Sequence, residues 1–255
     1  MEAAKQQAQP AAAPAAPTPA VAVLKTAGRK VDEHIIVYHK PDDARAATFT
    51  QFHTDIRNNY VDIATLGFTS AEAEEGKSVV ALNFAVALAR DCEERVCIVD
   101  CDLRKPSLHR LLGMDNPAGY GLSDSLAGTA PPSGFALNTP VEKLFLVPAG
   151  TPCANPTKLF ASKRVEEVVA ELRSAFTYTI FDCPPVLLSD TKQHPGGETK
   201  DLAPHLDGIV LVVQANKTSK RRVLKARQRL QPDSAESGVA VANILGFIFN
   251  KAKAE

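Results

Sequence analysis

From about residue 60 onward, short apolar runs alternate with longer stretches of helical spacing. Residues 63–69 (IATLGFT) read as a strand; a polar turn follows, and residues 78–90 carry apolar side chains at helical intervals. Residues 96–99 and 144–147 read as further strands, and residues 165–176 as a helix. Residues 178–181 and 209–213 are apolar at nearly every position, as strands covered on both faces must be. A helix over 219–230 and a last strand over 244–249 complete the series. This alternation predicts an α/β fold: one mostly parallel sheet flanked by helices on both faces. Residues 191–200 (TKQHPGGETK) read as a surface loop, because Pro-Gly-Gly among polar residues is turn chemistry.

The N-terminal segment breaks the rhythm. Its first twenty residues hold nine Ala and four Pro, too little apolar surface to offset the entropy of ordering. The expected organisation is a flexible Ala/Pro-rich tail over residues 1–30 and one folded domain over 31–255. With 45% hydrophobic and 23% charged residues the chain can bury a core, which excludes wholesale disorder. Lys and Arg balance Asp and Glu at 29 each, so no net charge draws the chain to nucleic acid or a membrane. No apolar run is long enough to span a bilayer, and no basic, apolar signal sequence opens the chain. Five Cys without a CxxC pair suit reduced thiols, and the chain is expected to be cytoplasmic.

Three segments carry candidate chemistry. The first is Ala71, Glu72, Ala73, Glu74, Glu75, Gly76, Lys77, Ser78, which satisfies the pattern [AG]-x4-G-K-[ST] between an expected strand and an expected helix. Such a loop wraps phosphates in backbone N–H groups at a helix N-terminus, while the Lys reaches the terminal phosphates and the Ser ligates Mg²⁺. A nucleotide cradle would run through Ala73, Glu74, Glu75, Gly76, Lys77, Ser78 and Val79. The bland alternative is a polar strand-to-helix turn. The second segment, residues 96–104 (VCIVDCDLR), ends a strand in Asp100 and Asp102 at the sheet edge where α/β ligands bind. One acid could serve a metal while the other meets a hydroxyl substrate; a solvated strand end is the alternative. The third, residues 178–185 (YTIFDCPP), delivers Asp182 to the same edge, as a Mg²⁺-shell or water-orienting acid.

Residues 100–113 (DCDLRKPSLHRLLG), 121–128 (GLSDSLAG), 182–186 (DCPPV), 207–213 (DGIVLVV) and 244–250 (ILGFIFN), with Pro148-Ala-Gly150 and Asn155-Pro156, carry a resemblance. Over residues 45–251 the chain resembles the bacterial tyrosine kinases of capsule and exopolysaccharide synthesis, P-loop proteins of deviant Walker type related to Min- and Par-type ATPases. The resemblance implies a protein-tyrosine autokinase that binds ATP and Mg²⁺ through Lys77 and Ser78. It implies that Asp100 and Asp182 surround the metal and that Asp102 accepts the tyrosine proton. It further implies a membrane-anchored polysaccharide co-polymerase as activator, recruitment to the inner face of the membrane, and self-association.

The chain also departs from that group. Glu74 stands where a glycine is usual, so strain is expected there, and Glu72 and Glu74 would add negative charge beside a triphosphate. No Tyr follows Tyr178, and Gln51-x2-Thr54-x2-Arg57 is the nearest match to the usual E-x2-R-x2-R oligomerisation helix. These departures leave room for a degenerate relative that docks on the co-polymerase without turning ATP over. A partition- or Min-type positioning ATPase fits less well, since its first loop lysine would fall on Glu72. The run from Lys217 to Arg229, seven basic residues and no acid, reads as a solvated helix face. Cys101 and Cys183 read as small buried thiols and His109 as a packing residue. The spacing Cys92-x4-Cys97-x3-Cys101 matches no zinc template, which argues against a metal other than Mg²⁺.

Overall fold

The computed structural model describes residues 30–60, 62–91, 95–115, 119–187, 197–232 and 241–252. Before the sheet come α1 (Ile36–His39) and α2 (Ala44–Asn59). The alternating part then runs β1 (Thr65–Ser70), α3 (Lys77–Asp91), β2 (Val96–Asp100), α4 (Leu108–Leu111), α5 (Leu122–Leu126), β3 (Leu137–Asn138) and β4 (Leu144–Val147). It continues through α6 (Pro156–Phe160), α7 (Arg164–Ala175), β5 (Tyr178–Asp182), α8 (Glu198–Leu202), β6 (Gly208–Gln214), α9 (Lys220–Leu230) and β7 (Ile244–Asn250).

The seven strands lie in the order β3-β4-β2-β5-β1-β6-β7. Every pairing is parallel except β3 with β4. The expected α/β sheet is therefore present. β1, β2, β5 and β6 are buried along nearly their whole length, which is why their sequences lack the in–out alternation of a half-exposed strand.

Two apolar clusters cover the sheet. On one face α2 and α3 pack on Leu66, Phe68, Ile98, Ile180 and Val210. On the other, α7 and α9 pack on Cys97, Val99, Phe181 and Leu211. Val99, Asp100 and Cys101 thus alternate between the faces at the end of β2, and the pattern repeats at Phe181, Asp182 and Cys183.

The structure changes several sequence expectations. Residues 44–59, whose apolar positions are interrupted by Thr, Arg and Asn, form the sixteen-residue α2. The expected loop over 191–200 is helical at its end: α8 starts at Glu198, and Glu198 and Thr199 are buried. Its residues 191–196, like tail residues 1–29, lie outside the described residues. Cys101, Cys183 and His109 are buried, as expected, and so is Cys97. Among the described residues no helix is long and apolar enough to cross a membrane.

Candidate active site

The parallel register sets Asp100 beside Asp182 at the C-terminal tips of β2 and β5. β1, the other neighbour of β5, leads directly into the loop at 71–76 and the first turn of α3. Sheet order alone brings the three sequence segments together at one edge.

Lys77 ties them to one another. Its Nζ lies 3.1 Å from Asp182 Oδ1 and 3.6 Å from Asp102 Oδ2, and donates to Ser78 Oγ at 3.1 Å. Burial alone would push the Lys77 ammonium down, but Asp182, Asp102 and Asp100 outweigh it and hold it above its ordinary range. Lys77 is therefore a fixed positive charge.

The acids are strained in the opposite sense. Asp100 accepts from the backbone N–H groups of Ser107 (2.9 Å), Leu108 (3.1 Å) and Asp102 (3.2 Å). Burial and then the neighbouring Asp182 nonetheless raise its pKa. Burial likewise raises Asp182, against the pull of Lys77 and Ser78. Asp182 Oδ2 is fully buried and has no hydrogen-bond partner. A buried acceptor left idle beside a Ser hydroxyl fits a cation or its bound water. Among the described residues no three His, Cys, Asp or Glu side chains converge as a protein-only metal cage. That donor set suits Mg²⁺, which takes one or two carboxylates and fills the rest with a hydroxyl, phosphate and water.

The loop bears out one expectation of the sequence and corrects another. Glu74 sits at φ +66° and Gly76 at φ +87°, so the residue replacing glycine does adopt a left-handed conformation, at about 1–2 kcal/mol. The charge expectation fails at Glu72: its carboxylate is paired with Arg222 of α9, Nε at 2.8 Å, instead of facing a triphosphate bare. Glu75, expected in the cradle, is buried with its carboxylate turned away, accepting from Thr218 Oγ1 and, at 2.7 Å, from the Glu72 N–H. Asn250 at the end of β7 donates to the Glu75 carbonyl at 2.9 Å, and Lys251 reaches the Glu74 carbonyl at 3.2 Å. A Cβ on Gly76 would stand 2.1 Å from Asn250 Nδ2, so only glycine fits under this brace. Arg222, Thr218 and Asn250 were not seen as site residues in the sequence. Their partners are more than a hundred residues away, and the sole trace was the acid-free basic run around Arg222. Of the other loop residues, Ala73 is exposed, and Ser78 and Val79 lie in the first turn of α3, whose first N–H groups have no intrahelical acceptor.

A parallel sheet that delivers a GK[ST] loop, a helix N-terminus and two strand-tip acids to one edge defines a P-loop nucleotide-binding protein. The chain belongs to the family described as the CobQ/CobB/MinD/ParA nucleotide binding domain, which matches residues 66–255. It is 28% identical over 235 residues to the tyrosine-protein kinase YwqD of Bacillus subtilis, covering 91% of this chain and 92% of that protein. Against the VpsO kinase domain it superposes with a TM-score of 0.68 and 26% identity, covering 85% of this chain and 98% of that one. The septum site-determining protein MinD of Pyrococcus horikoshii, complexed with Mg-ADP, shares the fold at a TM-score of 0.57. That match has 23% identity and covers 73% of this chain and 70% of MinD.

Proposed function

We propose that the chain is an ATP-dependent protein-tyrosine kinase regulating exopolysaccharide or capsule synthesis. The observation that carries the reading is the bridge of Lys77 between Asp182 and Asp102 at the N-terminus of α3. The names of relatives such as the tyrosine-protein kinase YwqD support it.

In this reading ATP lies along residues 73–79, its phosphates facing the first N–H groups of α3. Lys77 leaves the acids to meet the terminal phosphates. Ser78, Asp182 and Asp100 would hold Mg²⁺, which would supply positive charge to neutralise the phosphates. Asp102, half-buried and free of the strand ladder, takes the phenol proton. Positioning and electrostatics supply most of the rate. The reading extends to a cytoplasmic protein recruited to the membrane by a membrane-anchored co-polymerase that activates it.

The test mixes purified protein with Mg·ATP, with and without the cytoplasmic segment of its genomic neighbour, and probes for phosphotyrosine. Incorporation that disappears in Lys77→Met and Asp102→Asn is the expected result; incorporation persisting in Lys77→Met overturns the assignment. One observation, the left-handed Glu74, favours a second reading in which the chain docks on the co-polymerase without turning ATP over. That reading expects no Mg·ATP binding by calorimetry together with intact capture of the co-polymerase segment.

A further inference from the structure

The kinase reading leaves open which of the chain's own tyrosines can receive phosphate, and the fold separates them. There are four: Tyr38, Tyr60, Tyr120 and Tyr178. Tyr178 opens β5, four residues before Asp182, which puts its backbone about 13 Å from the site edge at ~3.3 Å per residue. It is also half-buried, with its ring against His53. Tyr60 follows α2 and donates to the Leu245 carbonyl at 3.4 Å, by the start of β7, again at the far edge. Tyr38 is fixed near the C-terminal end of α3, where Arg90 donates to the Val37 carbonyl at 3.0 Å. Since α3 begins at Lys77 and runs fifteen residues, that end lies about 20 Å from the loop.

Tyr120 stands apart on every count. The segment after it pairs with the chain leaving β4: Leu122 N–H donates to the Pro148 carbonyl and Ser123 N–H to that of Ala149, both at 2.9 Å. β4 is the neighbour of β2, so Tyr120 sits at the same C-terminal edge as Asp100 and Asp102. Its side chain is 61% exposed, against 39% and 38% for Tyr38 and Tyr60. The ring stacks on Phe135 with centroids 5.7 Å apart. Gly121 behind it is pressed against Pro148, where a Cβ would meet the carbonyl at 2.3 Å, while Gly119 before it faces open space. Tyr120 is thus anchored on one side and open on the other.

We infer that Tyr120 is the chain's own phosphate-accepting site, a tyrosine modification site at the catalytic edge; the inference rests on the kinase reading. The phenolic oxygen forms a bond to the γ-phosphorus of ATP as the bond from that phosphorus to the β–γ bridging oxygen breaks. ADP departs with the electron pair, and the phenol proton passes to Asp102. The product places about two negative charges on an exposed loop beside the site.

The test incubates the full chain with Mg·ATP and the activating segment, then maps phosphate by tandem mass spectrometry. Wild type and Tyr120→Phe are compared, each also assayed on an added Glu/Tyr copolymer. Phosphate on Tyr120, with Tyr120→Phe losing most of its self-incorporation while labelling the copolymer like wild type, is the expected result. Phosphate concentrated on Tyr38, Tyr60 or Tyr178, or undiminished self-incorporation in Tyr120→Phe, overturns the inference. No labelling of either chain or copolymer by wild type removes the kinase reading itself, and the acceptor with it.

Discussion

Carboxylates at the two regions of this molecule are treated in opposite ways. Away from the site, Asp207 accepts from the N–H groups of Ala64 (2.9 Å) and Thr65 (2.8 Å), from Thr65 Oγ1, and pairs with Arg173. Nearer the site, but outside the cluster around Lys77, Asp124 gathers Gly121, Thr151 and Ser123, and Glu198 gathers Arg104, Thr157 and Gly197. Burial would raise all three, but these donors hold each below its ordinary range. At the catalytic edge Asp100 and Asp182 are raised by burial, and one Asp182 oxygen is left idle. Acids that build the fold are saturated with donors. Acids that build the site are raised by burial and by neighbouring acids, Asp100 despite three backbone N–H donors and Asp182 with one oxygen idle, and share Lys77 as counter-ion until a ligand arrives.

That contrast can be broken in several places. The largest effect falls on the site: Lys77→Met should lower phosphotransfer by about a hundredfold or more while circular dichroism stays unchanged. The substitution leaves buried acids without their cation, so its loss of stability should be greatest at neutral pH and shrink on acidification. A thermal melt series across pH reads this directly. Next is the scaffold: Asp207→Ala strips four backbone and side-chain partners and should destabilise by about 3 kcal/mol in urea titrations, leaving transfer by the folded fraction intact. Smaller still, Glu74→Gly should stabilise by about 1 kcal/mol through relief of the left-handed backbone. Because Glu72 is already neutralised by Arg222 and Glu74 is exposed, the accompanying gain in ATP binding should barely change with salt.

The pH dependence of stability sharpens the contrast further. For Asp124, Asp207 and Glu198 the folded pKa is lowered, so the unfolded chain binds protons first on acidification. Their contribution is complete above the ordinary carboxylate values near 4 and is lost as pH falls through the folded values. Asp100 and Asp182 have the reverse sign: the folded state holds the extra proton, and stability declines as pH rises from the ordinary value through the raised one. His53, buried and pushed down by desolvation, adds a loss as pH falls below its ordinary value of 6.5. Urea midpoints measured from about pH 2 to 8 should therefore form a shallow dome, its acid flank set by the lowered carboxylates and its decline above about pH 4 by Asp100 and Asp182.

The strands were legible because burial on both faces leaves a chemical signature in five or six consecutive residues. α2 was not, because its core-facing set of Ala46, Phe49, Phe52, His53 and Ile56 mixes a polar ring and small residues into a Thr- and Arg-rich stretch. β3 has two residues and no pattern to read. At the site, Lys77, Asp100 and Asp182 were readable as positions since each ends a strand or opens a helix, and Asp102 since it follows the β2 tip by two residues. The brace of Asn250, Thr218 and Arg222 on the loop joins residues 150 or so positions apart, and nothing local records such a pairing.

The most direct measurement is a carboxyl titration by NMR on protein carrying ¹³C at the aspartate side-chain carboxyls, run with and without Mg·ATP. Resonances are assigned by single Asp→Asn changes. In the free protein, Asp100 and Asp182 should titrate above the ordinary range while Asp124 and Asp207 titrate below it. With Mg·ATP bound, the first pair should stay ionised to lower pH and the second pair should not move. Site and scaffold aspartates titrating alike, or Mg·ATP leaving Asp100 and Asp182 unshifted, would contradict the division between acids that hold the fold and acids kept for a ligand.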